Sequence, residues 1–339
     1  MHGTSDSRAE SRRHYNGAPT DAVVSSLTRG KPPGLLGVLP LYLAIATAAG
    51  FVDFRVRPAI NFEHAFTTYV PAVLDGTEAP PAKYRILAPH AYAAVARWTG
   101  LEARDAWFVF RWLCLLAALI AGHALFRTWF DTGPAVAGNA LMVVLLWLTF
   151  SGGYGHPDHL MELVLFTLGC ACIARGWDVA FVGVLALNAL NRETSAFLVP
   201  LFFFARAFSR RHLTWTAIAL AVWLGVTMLL RWRLGWVPYD PLHVAENLQT
   251  MFTWPERDLY YKLFPWFFLI LAVPALVTIG LSWARQPRFT RVAAAIVAPA
   301  LMLTGFLFSS VIESRIFTPV LPLLVPGLLF ALFPAEPRS

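Results

Sequence analysis

The chain has 339 residues, a formal net charge of +7, 57% hydrophobic and 14% charged residues, and a mean hydropathy of +0.57. A soluble domain carries about 25% charged residues, so the composition excludes an ordinary soluble enzyme and points to one lipid-embedded domain. Nor does the positive charge imply nucleic acid: only Lys31, Lys83 and Lys262 are lysines, and excess arginine in a membrane protein mainly sets orientation.

Residues 1–33 are polar and lack an apolar stripe, which predicts a disordered cytoplasmic tail. "SRRHYNG" has no apolar run directly after its arginines, so it does not read as an export signal. "ATAAG" is a cleavage-like end to the first apolar run, but the many later spans favour an uncleaved first helix over about 35–52. A helix needs about 20 apolar residues to cross about 30 Å of hydrocarbon. A long amphipathic loop follows, 53–104. In it "INFEHAFTTYVPAVLDG" predicts an interfacial helix broken at Pro71, and "YRILAPHAYAAVARWTG" a second starting near Pro89. Further spans are expected at 106–126, 134–151 and, after "SGGYGHPDH", at 160–174.

Asp178 to Ala207 is 30 residues, too long for one untilted crossing. It is either one long helix or two short ones, 179–191 and 195–205, turning at "NRET"; the short helices would reach only about 20 and 17 Å and need a thinned or protein-lined setting. A span at 213–230, a polar loop at 231–262, spans at 264–284, 291–311 and 316–333, and a cytoplasmic end at 335–339 complete the chain. The expected fold class is all-α: a polytopic transmembrane helical bundle over 34–334, with about 9–10 spans, some short or re-entrant, and extracytoplasmic loops at 53–104 and 231–262. Cys114, Cys170 and Cys172 lie in apolar segments without zinc or disulfide spacing, and read as small packing residues.

The positive-inside rule decides between the two topologies. With the N-terminal tail in the cytoplasm, two short helices put Arg206, Arg210, Arg211, Arg285, Arg288, Arg291 and Arg338 inside, mostly in short loops. One helix puts Arg231, Arg233, Arg257, Lys262 and Arg315 inside, mostly in a long loop that also carries acids. Two short helices are therefore expected. Adjacent residues on a helix lie about 100° apart, so Arg192 and Glu193 need different partners; at a turn, Asn191 can cap the second helix with Glu193 in its first turn. "VDFRVR", "YRILAPH", "GHPDH", "NRET" and "ESR" then share the outer face, and ionisable residues at membrane depth mark a functional site.

This set resembles the multipass GT-C glycosyltransferase superfamily, especially bacterial members. The similarity covers most of the chain after residue 34: a first span followed by an acidic outer loop, the arginine of "YRILAP", an acidic residue before a short helix, "NRET", and "ESRIFTPVLP". Asp53 departs from the commoner arrangement because it stands alone rather than in an acidic pair. The resemblance implies an inverting enzyme of the bacterial inner membrane that moves a sugar from a polyprenyl-phosphate carrier to an acceptor on the outer face, without a cofactor. A general base must take the proton of the attacking hydroxyl, for which Asp53 is the first candidate and Glu63 the second. Arginine suits the leaving lipid phosphate, which singles out Arg85, Arg192 and Arg315. His90, Asp158, Glu193 and Glu313 complete the candidate substrate contacts. In "HPDHLME", His156 and His159, like Asp158 and Glu162, share a helix face and suggest a divalent ion; Pro157 instead favours a loop with Asp158 as helix N-cap, and no metal is expected. A transporter or lipid flippase with broken helices, or a non-catalytic assembly protein, are the competing readings.

Overall fold

The computed structural model describes residues 34–56, 62–149, 156–238, 242–252, 266, 272–309 and 314–333, which belong to one unit, Gly34–Ser339. Among these residues the regular elements are all helical. The tail 1–33, Glu313 and the 335–339 end lie outside the described residues, as do the side chains of Asp53 and Arg315.

Helix α1, Leu35–Val56, buries Val38, Tyr42 and Ala46, one residue per turn, against α4 (Ala103–Phe126). It runs past the expected end of the first span, so the Asp53 backbone belongs to its last turn rather than to the following loop. The run 62–74, α2, passes through Pro71 unbroken: a π-turn at Ala65–Tyr69 precedes it. A wide turn of this kind accommodates a ring that would otherwise press on the preceding turn's carbonyl. The same device recurs in α12, 288–308, where the π-turn Ala293–Val297 precedes Pro299. Helix α3, Leu87–Thr99, starts two residues before Pro89 and ends at Gly100, whose φ of 64° favours glycine.

Helix α5, Thr132–Thr149, meets α4 and α13 (Leu321–Leu332) closely enough that a Cβ on Gly138 would lie 2.7 Å from Leu329 Cδ1. At the centre stands α6, Asp158–Arg175, buried on nearly every side, its first two turns burying Asp158, His159 and Glu162 along with apolar residues. Cys170 and Cys172 pack within it, as Cys114 does in α4, all three as free thiols.

After α6 come α7, Asp178–Asn191, an extended residue at Arg192 (φ −157°, ψ 148°), a 3-10 turn at Glu193–Phe197, and α8, Leu198–Ala205. These short helices form a closed hairpin: Phe181 stacks on Phe202 at 4.6 Å between ring centroids, and Arg206 pairs with Asp178 at its base. The 14 residues of α7 span about 21 Å. Helix α9, Arg210–Leu234, starts one residue after the capping Ser209 and continues through Arg231 and Arg233, which the sequence had suggested for a loop. Helix α10, Val244–Phe252, and α11, Ala272–Leu281, precede α12.

Among the described residues four helices are long and apolar enough to cross a membrane: α1, α4, α9 and α12. Helix α9 exposes Leu213, Ile218, Leu220, Leu224, Met228 and Leu229 along its length. A contiguous apolar surface of this size is out of place in water and suited to lipid.

Contacts between turns sort them into two ends. Arg175 donates to Thr128 Oγ1 at 3.4 Å, Trp129 packs on Phe289 at 5.4 Å, and the Arg288 guanidinium lies 5.6 Å from the Phe208 ring centroid. Turns 127–131, 175–177, 206–209 and 282–287 therefore share one end. At the other, Tyr84 donates to Gly235 O at 2.7 Å, His243 N donates to Leu307 O at 3.0 Å, and the hairpin tip meets the start of α6.

Candidate functional site

The hairpin tip builds a chain of alternating charge. Arg192 is buried, its Nη1 2.7 Å from Glu162 Oε2 and its Nε 3.5 Å from Asp158 Oδ2. Thr194 donates its hydroxyl to the second oxygen of Glu162. Arg85 continues the chain, with Nη1 3.1 Å from Asp158 Oδ2 and Nε 3.4 Å from Glu193 Oε2. Asp158 and Glu162 are one turn apart on α6 and both face Arg192, so a guanidinium stands where the spacing had suggested a divalent ion. Among the described residues no group of three or more His, Cys, Asp or Glu side chains is placed to hold a metal.

Local geometry makes the chain possible. The extended Arg192 backbone breaks the helix between two adjacent charged residues, and Arg192 and Glu193 turn to different partners. Asn191 does not cap the second helix: it ends α7, and its Nδ2 donates to Asp158 O at 2.8 Å, tying tip to α6. Nor is Asp158 an N-cap; Pro157 takes that position, and the Asp158 carboxylate, one residue into α6, binds arginine instead. Ser195 donates to Arg192 O at 2.7 Å and accepts from Trp223 Nε1 at 3.0 Å, which fixes the tip to α9.

A cavity of about 690 Å³ opens beside this chain. That is within the usual range for a small-molecule site, roughly 300–1,000 Å³. Its polar lining includes Arg85, His156, Glu193, Thr194, Arg231 and His243; its apolar lining includes Phe197, Trp223, Leu301, Phe308 and Ile316. Burial by itself would lower the Arg85 pKa, but the carboxylates of Glu193 and Asp158 outweigh it and hold the group above its ordinary value. Arg231 lies 5.5 Å from the ring centroids of both Tyr84 and Trp236, a cation–π arrangement that sets its direction at the wall. His156 is held edge-on to Tyr69 at 4.1 Å.

The structure thus brings together Arg85, Asp158, Arg192 and Glu193 of the expected set. Glu63 is exposed and lies off the cavity lining, and the His90 ring shares a hydrogen bond with Ile86 O of its own segment. Glu162 was visible only as half of a metal-like spacing, because its partner is 30 residues away. Arg231 was hidden by reading one turn of α9 as loop, and His243 by the lack of any local signal. Comparison with protein-family models, curated proteins and solved structures finds no match.

Proposed function

We propose that this chain is an integral membrane glycosyltransferase that moves a sugar from a polyprenyl-phosphate carrier to an acceptor at the extracytoplasmic face. The single observation that carries the reading is the cavity: its lining combines charged, arginine-bearing side chains with large apolar ones, as an anionic headgroup with a lipid tail requires. The positive-inside rule puts the arginine-rich turns in the cytoplasm and the cavity outside. In this reading the shorter apolar helices complete a polytopic bundle in the bacterial inner membrane, with the N-terminus cytoplasmic.

Arg85, which is mostly buried, and Arg192, which is buried, are already matched by Asp158, Glu162 and Glu193. They build the floor, and Arg231 supplies further positive charge where a phosphate would sit. In the reaction the acceptor oxygen attacks the anomeric carbon, a carboxylate takes its proton, and the bond from that carbon to the phosphate oxygen breaks. The lipid phosphate departs with the electron pair, next to arginine. Asp53 remains the first choice for the base and Glu63 the second. Phe197 and Trp223 offer flat apolar faces for a sugar ring.

Membranes carrying the native chain should transfer label from a polyprenyl-phosphate sugar pool to an endogenous acceptor. Asp53→Asn should abolish transfer without altering thermal stability, and Arg231→Gln should weaken it. Full transfer by the Asp53 variant would remove that residue from the base role. A short-helix hairpin meeting a cavity also favours a transporter; labelled lipid crossing vesicles with no new glycosidic product would establish that alternative.

A further inference from the structure

We infer that the arginine-rich end of the bundle is a binding surface for anionic phospholipid headgroups. This inference rests on the membrane reading above but not on glycosyl transfer. Segments 127–131, 175–178, 206–211 and 285–291, the turns at this end with the adjoining first turns of α7, α9 and α12, carry eight arginines against two acids, Asp131 and Asp178. At the cavity end Arg85 and Arg192 are matched by three carboxylates; here the balance is six charges positive, in segments that the Arg288–Phe208 and Trp129–Phe289 contacts hold side by side.

Burial gives the same contrast. Arg206 spends its charge on Asp178, whereas Arg211 is 82% exposed and 3.9 Å from that carboxylate; Arg210, Arg285 and Arg288 are exposed too. Helices α9 and α12 carry arginine in their first turns and no acid there, although a carboxylate would be favoured at that end, so the fold concentrates positive charge instead of offsetting it. Among the arginines stand exposed aromatic side chains: Phe208 beneath Arg288, Trp177 5.0 Å from Arg175, and Trp283. Charge interleaved with aromatic rings at the ends of lipid-length helices matches the headgroup layer, where aromatics seat at the interface and arginine pairs bidentately with phosphate.

The test uses the full chain, delipidated in neutral detergent and equilibrated with equal amounts of phosphatidylglycerol and phosphatidylcholine. Retained lipid is read by mass spectrometry. Each arginine near an anionic surface contributes about fivefold, so phosphatidylglycerol should be retained at least about tenfold over phosphatidylcholine, and the preference should shrink as salt rises. The combined Arg210→Gln, Arg211→Gln and Arg288→Gln chain should lose most of that preference, while Arg97→Gln on α3 should keep it. Equal retention of the two lipids by the native chain, or a salt-independent preference, overturns the proposal without needing the variant to fold. A chain that leaves native membranes under alkaline carbonate overturns the membrane reading as well; one that stays but shows no lipid preference overturns this inference alone.

Discussion

Arg192 at the hairpin tip is 5% exposed and sits between two carboxylates of α6, whereas Arg211 at the opposite end is 82% exposed with Asp178 3.9 Å away. Both are arginines flanking the same pair of short helices. A buried guanidinium cannot be left unmatched, because its desolvation costs several kcal/mol (about 3–5 when one partner of a buried pair is removed). An exposed one is screened and costs little to move. The first kind organises a site; the second faces outward and is available to a partner. The end at which an arginine stands therefore says more about its role than the residue type does.

The comparison breaks most sharply at Arg192. Replacing it with Met leaves Glu162 and Asp158 buried without their cation, and unfolding in detergent should show a loss of about 3–5 kcal/mol. Replacing Arg85 with Gln cuts Glu193 from Asp158 and should cost less, about 1–3 kcal/mol, since Arg85 is 14% exposed. Its pKa is raised in the folded protein. The stability it contributes is thus fully present below arginine's ordinary pKa and is lost only as pH rises through the higher folded value. Because arginine stays charged at all working pH, the difference between the native chain and the Arg85 variant should be flat from about pH 7 to pH 10. A difference that vanished within that window would contradict the assignment. The smallest effect belongs to Arg211→Gln, which should leave thermal stability within about 0.5 kcal/mol of native; a larger loss would mean that the two ends are not distinct in kind.

Much of this was legible in the chain because hydropathy and arginine spacing are local signals. The helix positions came from apolar run lengths. The hairpin came from the impossibility of an Arg–Glu neighbour pair sharing one helix face, and from where the other arginines fell. The partners of Arg192 and Arg85 were not legible: Glu162 and Asp158 approach them only once α6 and the hairpin pack, and nothing near residue 192 encodes that. Pro71 misled in the opposite way. A local rule for helix breaking was overridden by a π-turn, and the same override recurs at Pro299. Arg231 was missed by a helix boundary, the least local feature of a helix, whose last turn meets Tyr84.

The measurement that tests the central claim most directly asks whether the hairpin truly reverses the chain. With Cys114, Cys170 and Cys172 replaced, single cysteines at Ser209 and at Ala79 would be labelled in intact cells with an impermeant maleimide. Ser209 lies in the turn between α8 and α9, and Ala79 is an exposed position in the loop before Arg85. Labelling of Ala79→Cys from outside, with Ser209→Cys protected until lysis, is the predicted result, and it would put the hairpin tip and the cavity on the outer side. Labelling of both from the same side would contradict the hairpin, separate Arg192 from Arg85, and take the site apart.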